Sequence, residues 1–334
     1  MNKFGIIMCL GIFLAGAAAG YSAGFYNEHN VLVQSLAMIT PLREHDPRYK
    51  FIDPLLAYVI PSVEEQGLAS LKGDISDIIT AAKNKGQVAD ASVFLSDLNR
   101  GRWIGVNENK KYNPASILKV VIMVTYFKEQ ETQSAILEKE LVYIADLDAL
   151  LKQNPYNTGT LLEIGKKYQV QYLIDTMITA SDNGAEFLLL ANINQTILAD
   201  LYAVLGIENP DHVPGNFTIS PRSYSLFFRI LYSATYLRKS LSEQALQILS
   251  QATYRDAMVA GVPENITVAH KFGQYVTADS SGVQAVELHD CGIVYYPPNP
   301  YFLCVMTKGT DERALQAMIK NISEAVYKGY ISYK

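Results

Sequence analysis

The chain has 334 residues, 49% of them hydrophobic, with 28 basic against 33 acidic side chains and a net charge of −5. That length and apolar content suffice for one large domain with an appendage or for two domains. The near-neutral balance, with no basic run interleaved with aromatics, argues against nucleic acid as a partner. Cys9, Cys291 and Cys304 show no C-x-x-C spacing and the five histidines no H-x-x-x-H interval, so no metal is expected.

In chain order, the first feature is an uncharged run over residues 4–19 behind Lys3, extended by small and aromatic residues to Tyr26. It reads as a signal for export to the outer face of the cytoplasmic membrane. Ala17-Ala18-Ala19 would suit a signal peptidase, but residues 4–26 are long enough to span a bilayer, and a retained membrane helix is preferred. Cys9 has no lipobox before it. Residues 27–62 are polar and punctuated by Pro41, Pro47, Pro54 and Pro61, as in a stalk or docking segment. Their apolar part, 51–60, is expected to pack on the body or touch lipid. Residues 63–334 are expected to form the main domain.

Within it, Leu68, Leu71, Ile75, Ile78 and Ile79 recur at helical spacing, and Lys85-Gly86 closes that helix. Residues 91–98 and 102–106 read as a hairpin whose turn, Asn99-Arg100-Gly101, ends on a glycine suited to the left-handed region. The middle of the chain is helical, including 169–179. Strands return at 283–296 and 301–307, with Pro297-Pro298-Asn299-Pro300 between them, and a last amphipathic helix covers 312–327. A hairpin centred on 297–300 does not set Cys291 opposite Cys304, so both are expected to be free thiols.

Three short motifs stand in order: Ser116-Ile117-Leu118-Lys119, Ser181-Asp182-Asn183 and Lys271-Phe272-Gly273. A serine three residues before a lysine arises about once by chance in a chain of this size, so the weight lies in the ordered set. Ser116 follows Pro114-Ala115 and precedes an apolar run, which puts it at the N-terminal end of a buried helix, where backbone N–H groups favour developing negative charge. Lys119 lies one turn on. A lysine buried there loses its proton more easily and can serve as a base for the serine. Taken alone, Ser116 reads more readily as a helix cap beside a snorkelling lysine, and Ser181 or Asp182 could equally be a cap of the next helix.

The ordered set resembles the S-x-x-K, S-D-N and K-T-G triplet of class A β-lactamases and penicillin-binding proteins, over most of the chain from Val63 onward. The resemblance implies an α/β (α+β) fold of the β-lactamase/transpeptidase type: an antiparallel sheet made from both ends of the chain, flanked by terminal helices, with an all-helical insert. It implies a serine hydrolase that forms an acyl-enzyme on Ser116 with Lys119 as base. Ser181 would protonate the leaving nitrogen, Asn183 would hold the substrate amide, and Asp182 would fix the loop. Lys271 and Gly273 of the third motif would bind the substrate carboxylate side, and the N–H groups of Ser116 and Gln274 would form the oxyanion hole. The partner would be a β-lactam or a peptidoglycan stem peptide, and no cofactor is needed.

Two departures stand out. Phe272 replaces the hydroxyl residue of the third motif, and the missing hydrogen bond to the substrate carboxylate should cost about 1.5 to 3 kcal/mol of binding. The loop from Leu205-Gly206 through Val213-Pro214-Gly215 to Thr218-Ile219-Ser220-Pro221 is short, and its only glutamate, Glu208, lacks the E-x-x-L-N setting of the class A deacylating base. Three outcomes stay open: a β-lactamase, a penicillin-binding D,D-peptidase that deacylates slowly, and a non-catalytic wall-binding protein. His289-Asp290 is expected near the strand of Lys271, capping it and holding the loop after Gln274, or replacing substrate contacts. His270 is expected on the face opposite Lys271.

Overall fold

The computed structural model describes residues 42–57, 64–152, 160–210, 217–278 and 284–332. The expected export segment, the first part of the stalk and Val213-Pro214-Gly215 lie outside these residues. In chain order the elements are β1 (Leu42–Arg43), β2 (Leu55–Ala57), α1 (Ala69–Asn84), β3 (Val88–Asp97), β4 (Trp103–Val106), α2 (Lys119–Gln130), β5 (Glu140–Val142), α3 (Ala145–Lys152) and β6 (Lys167–Gln169). There follow α4 (Val170–Thr179), α5 (Asn183–Leu190), α6 (Gln195–Leu205), α7 (Pro221–Tyr232), α8 (Lys239–Leu249), β7 (Val268–Ala278), β8 (Gln284–Val294), β9 (Tyr301–Gly309) and α9 (Glu312–Ser332).

The main sheet is antiparallel in the order β4-β3-β9-β8-β7, so the two ends of the chain build it and the middle supplies the helices. Its central strands are buried on both faces and read as nearly unbroken apolar runs. On β9, Phe302, Cys304 and Met306 point into the core shared with the helical insert, and Tyr301, Leu303 and Val305 into the core beneath α1 and α9. The period of two sorts one strand into two cores.

Local chemistry accounts for the helices that matter to the site. In α4, Val170, Leu173, Ile174, Met177 and Ile178 form one buried stripe at i, i+3, i+4, i+7, i+8. From Lys119 to Phe127 every residue of α2 is buried, which makes it the central core helix. The Asp182 side chain caps α5 by accepting the Ala185 N–H, and Ser220 with Pro221 opens α7. Gly101, at φ 70°, closes the β3–β4 turn in the left-handed region expected of it.

The cysteine expectation is corrected. Cys291 and Cys304 stand directly opposite each other in the β8–β9 ladder and are joined as a disulfide. The register differs from the expected one because Tyr295 and Tyr296 leave the strand. Val294 pairs with Tyr301, the Tyr295 hydroxyl donates to the Phe51 carbonyl, and Tyr296 packs edge-on against Tyr327. Packing of two tyrosines against distant segments therefore sets the hairpin. Reduction, or replacement of both cysteines by serine, is expected to lower unfolding free energy by about 2–4 kcal/mol, the usual worth of such a cross-link. Denaturant melts with and without reductant check this.

Residues 42–57 pack against the rest of the structure. Phe51 and Ile52 are buried in the core shared with the insert, and the Glu243 carboxylate accepts the N–H groups of Lys50, Phe51 and Ile52 at 2.7 to 3.0 Å. Among the described residues no single helix is long and apolar enough to cross a membrane.

Candidate active site

Ser116 sits in the 3-10 turn Ala115–Leu118 that runs directly into α2. The turn is strained and clamped: Ala115 has φ 49°, a left-handed conformation costly for any residue with a Cβ. Three residues hold it there. The Glu287 carboxylate accepts the Asn113 N–H at 2.9 Å, His289 Nε2 donates to the Asn113 carbonyl at 2.8 Å, and the Tyr224 hydroxyl donates to the Ile117 carbonyl at 2.8 Å. The Asn113 side chain in turn accepts the Ala115 N–H at 2.9 Å. Because His289 Nδ1 accepts the Thr307 N–H, Nε2 carries the proton, and burial pushes the ring below the usual histidine range, which keeps it in this neutral form.

Beside the turn lies a cluster of buried polar groups. Lys119 and Lys271 are both fully buried, and the Ser181 hydroxyl lies between them, 2.9 Å from Lys271 Nζ and 3.3 Å from Lys119 Nζ. Lys119 also donates to the Ser181 carbonyl at 2.7 Å and to Asn183 Oδ1 at 2.6 Å, and its Nζ is 3.3 Å from a Glu186 carboxylate oxygen. Burial lowers the Lys119 pKa below the usual lysine value, against the opposing pull of Glu186. Burial, then the nearby Lys119 charge, push Lys271 well below its usual value. A pair of ammonium groups sharing one hydroxyl in a dry site is unfavourable, so the cluster favours losing a proton.

Ser181 owes its position to a second strained turn. Its φ is 56°, and the following Asp182 ties the turn to the neighbouring loop by accepting from the Thr160 hydroxyl at 2.8 Å and the Leu161 N–H at 2.6 Å. Strain of this kind persists only where surrounding contacts over-determine it.

Gly273 joins the third motif to the first. A Cβ at this position would lie 2.9 Å from the Ile117 nitrogen, 2.9 Å from the Pro114 carbonyl and 3.0 Å from the Ser116 nitrogen, all backbone atoms. Only a residue without a side chain lets β7, the outer strand of the sheet, come this close to the serine turn. Gly273→Ala is therefore expected to push the strand from the turn and to cost about 1–3 kcal/mol of stability, the usual cost of forcing extra volume into a packed contact; denaturant melts beside wild type would measure it.

The tertiary structure thus brings Ser116, Lys119, Ser181, Asn183, Lys271, Gly273 and Gln274 to the junction of the sheet and the helical insert. A cavity of about 440 Å³ opens there, lined by Ser116, Asn183, Glu186, Phe187, Phe217 and Gln274 among others. Glu208 is exposed and does not line it. Phe272 stacks on Tyr254 with ring centroids 4.0 Å apart, and Lys271 Nζ lies 4.3 Å from the Phe272 ring, so a ring packs where the resemblance leads one to expect a hydroxyl. His289 supports the loop before Ser116 rather than the loop after Gln274, because Gly273 is its partner in the β7–β8 ladder and both face the serine turn. Asp290 faces the other way: it pairs with His270 at 2.7 Å and accepts the Met258 N–H, so its carboxylate is engaged away from the serine turn. Glu186, Glu287 and Asn113 were not singled out from the sequence; no local motif marks them.

An antiparallel sheet between terminal helices and a helical insert, with a serine turn at their junction, defines the β-lactamase/transpeptidase-like fold. PBP-A superposes with a TM-score of 0.67 at 22% identity, covering 82% of this chain and all of that one. A β-lactamase from Xanthomonas campestris pv. campestris gives 0.65 at 19% identity over 79% of this chain and 98% of its own. One from Chitinophaga pinensis gives 0.67 at 16% over 78% and 99%. No curated protein is significantly similar in sequence. Residues 70–330 match the model of the beta-lactamase enzyme family, and the chain belongs to that family. It is accordingly a serine hydrolase acting on amides.

Proposed function

We propose that Ser116 is the nucleophile and that the protein forms an acyl-enzyme with a β-lactam or with the D-Ala-D-Ala-type amide of a peptidoglycan stem peptide. The observation that carries this is the Ser181 hydroxyl held between two buried lysines, on the strand and helix that flank the serine turn. A neutral Lys119 takes the proton from Ser116 as its oxygen attacks the carbonyl carbon. Ser181 passes its proton to the departing nitrogen and is reprotonated from Lys119, so one proton travels from the serine to the leaving group. The N–H groups of Ser116 and Gln274 receive the oxyanion, and Asn183, whose Oδ1 is engaged by Lys119, presents its amide nitrogen to the substrate. Lys271 faces the substrate carboxylate; an anionic substrate there would favour its ammonium form again.

An extended substrate suits an outer strand such as β7, which can accept one more strand at its edge. The penicillin G acyl-enzyme of a PBP-A mutant, at 22% identity, is consistent with the same chemistry. Export to the outer face of the cytoplasmic membrane, with the N-terminal segment retained as an anchor, belongs to this reading. The uncharged run at residues 4–26 and the Cys291–Cys304 disulfide, a bond at home in oxidising compartments, support it.

The test is exposure of the full-length protein to a fluorescent penicillin, with intact mass followed over time and the adduct mapped by peptide. An adduct on the peptide containing Ser116 supports the proposal, and its lifetime separates a β-lactamase from a slowly deacylating D,D-peptidase. No adduct would favour a non-catalytic wall-binding protein.

A further inference from the structure

We propose that Glu186, on helix α5, is the general base that clears the acyl-enzyme. This role, which rests on acylation of Ser116, would make up for the missing glutamate of the short loop. Glu186 lies one helical turn after Asn183, on the same face, and its side chain is 19% exposed. It lines the cavity that also exposes Ser116 and Gln274, and among the described residues it is the only carboxylate in that lining. Its oxygen 3.3 Å from Lys119 Nζ fixes the carboxylate beside the lysine proposed to serve Ser116, and the cavity that Glu186 and Ser116 both line admits a water between them. Glu208, the alternative, is exposed and outside the cavity.

In the step, Glu186 takes a proton from a water whose oxygen forms a bond to the ester carbonyl carbon. The carbonyl electrons move to the oxygen held by the N–H groups of Ser116 and Gln274. They return as the bond to the serine oxygen breaks, and that oxygen receives the proton from Glu186 through Lys119. Ester and water give free acid and the original serine, with no other reactant.

A structural carboxylate paired with Lys119 would be needed for acylation and deacylation alike, whereas a deacylating base is needed for the second only. The experiment is single-turnover mass spectrometry of the full-length protein with penicillin G, for the wild type, Glu186→Gln and Glu186→Asp. The expected result is that Glu186→Gln acylates within about tenfold of the wild-type rate but loses its adduct on the order of 10²- to 10³-fold more slowly, with Glu186→Asp between. Formation of the adduct itself shows that the variant is folded. Equal clearance by Glu186→Gln and wild type would overturn the proposal, as would a wild-type adduct that forms and never clears; both leave acylation at Ser116 standing. A wild type that takes no adduct would remove the acylation reading and this one with it.

Discussion

Ser116→Ala is expected to leave the protein folded and without any acyl adduct, a loss on the order of 10⁶-fold in turnover, as removal of a nucleophile that acts with its base as a unit ordinarily gives. The structure separates the two effects well. Ser116 is half-buried at the cavity, and its hydroxyl has no hydrogen-bond partner among the described residues, so the alanine leaves no buried group unsatisfied. The turn is held through the backbone and neighbours: Asn113 by Glu287 and His289, Ile117 by Tyr224. Unfolding free energy should therefore change by less than about 0.5 kcal/mol, as for a surface substitution. Denaturant melts beside intact-mass labelling check both halves; a variant that still acquires penicillin mass would place the nucleophile elsewhere.

Lys119→Met should slow acylation on the order of 10³-fold, because it removes the amine proposed to accept the Ser116 proton. Its effect on stability is a balance. Methionine removes a buried ammonium but leaves the Ser181 carbonyl, Asn183 Oδ1 and the Glu186 carboxylate without their shared donor, at about 1–3 kcal/mol for such orphaned acceptors. The pH dependence is the sharper test. Lys119 has a folded pKa below the ordinary value of 10.5, so under the proposed mechanism the rate of acylation should rise with pH as the neutral amine forms. Over the window between the folded pKa and 10.5 the unfolded chain binds a proton that the folded chain does not, so stability also rises with pH there. Lys271, lowered more strongly by burial and by Lys119, adds to the same slope. In Lys119→Met the rising limb of the acylation profile should disappear; a limb that persists would assign the base to another group. Stopped-flow acylation from pH 5 to 10 provides the measurement.

Much of the candidate site is legible because its residues are written over short spans. Ser116 and Lys119 are one helical turn apart, Ser181 to Asn183 are consecutive at a helix start, and Lys271 and Gly273 alternate on one face of a strand. Each spacing places side chains before any tertiary contact forms. The arrangement of terminal helices, sheet and helical insert follows from the resemblance those motifs carry, and the chain adopts it. His270 was rightly put on the far face by the period of two.

What stayed hidden depends on contacts between segments far apart in the chain. Glu186 looks like any helix glutamate until α2 is packed against α5 and Lys119 Nζ comes within 3.3 Å of it. Glu287 and His289 become the clamp of the serine turn only once β8 lies beside β7, and the closeness that demands a glycine at 273 exists only between a sheet edge and a distant loop. The disulfide was missed for the same reason: a shift of two residues in a hairpin's pairing changes every partner, and tyrosines anchored on Phe51 and Tyr327 made that choice. The sequence by itself determined which candidate residues stand at short-range spacings and which local elements hold them, since spacing and capping are short-range. Tertiary structure alone decided strand register, burial and the company each charge keeps, because those energies arise only when remote segments exclude water together.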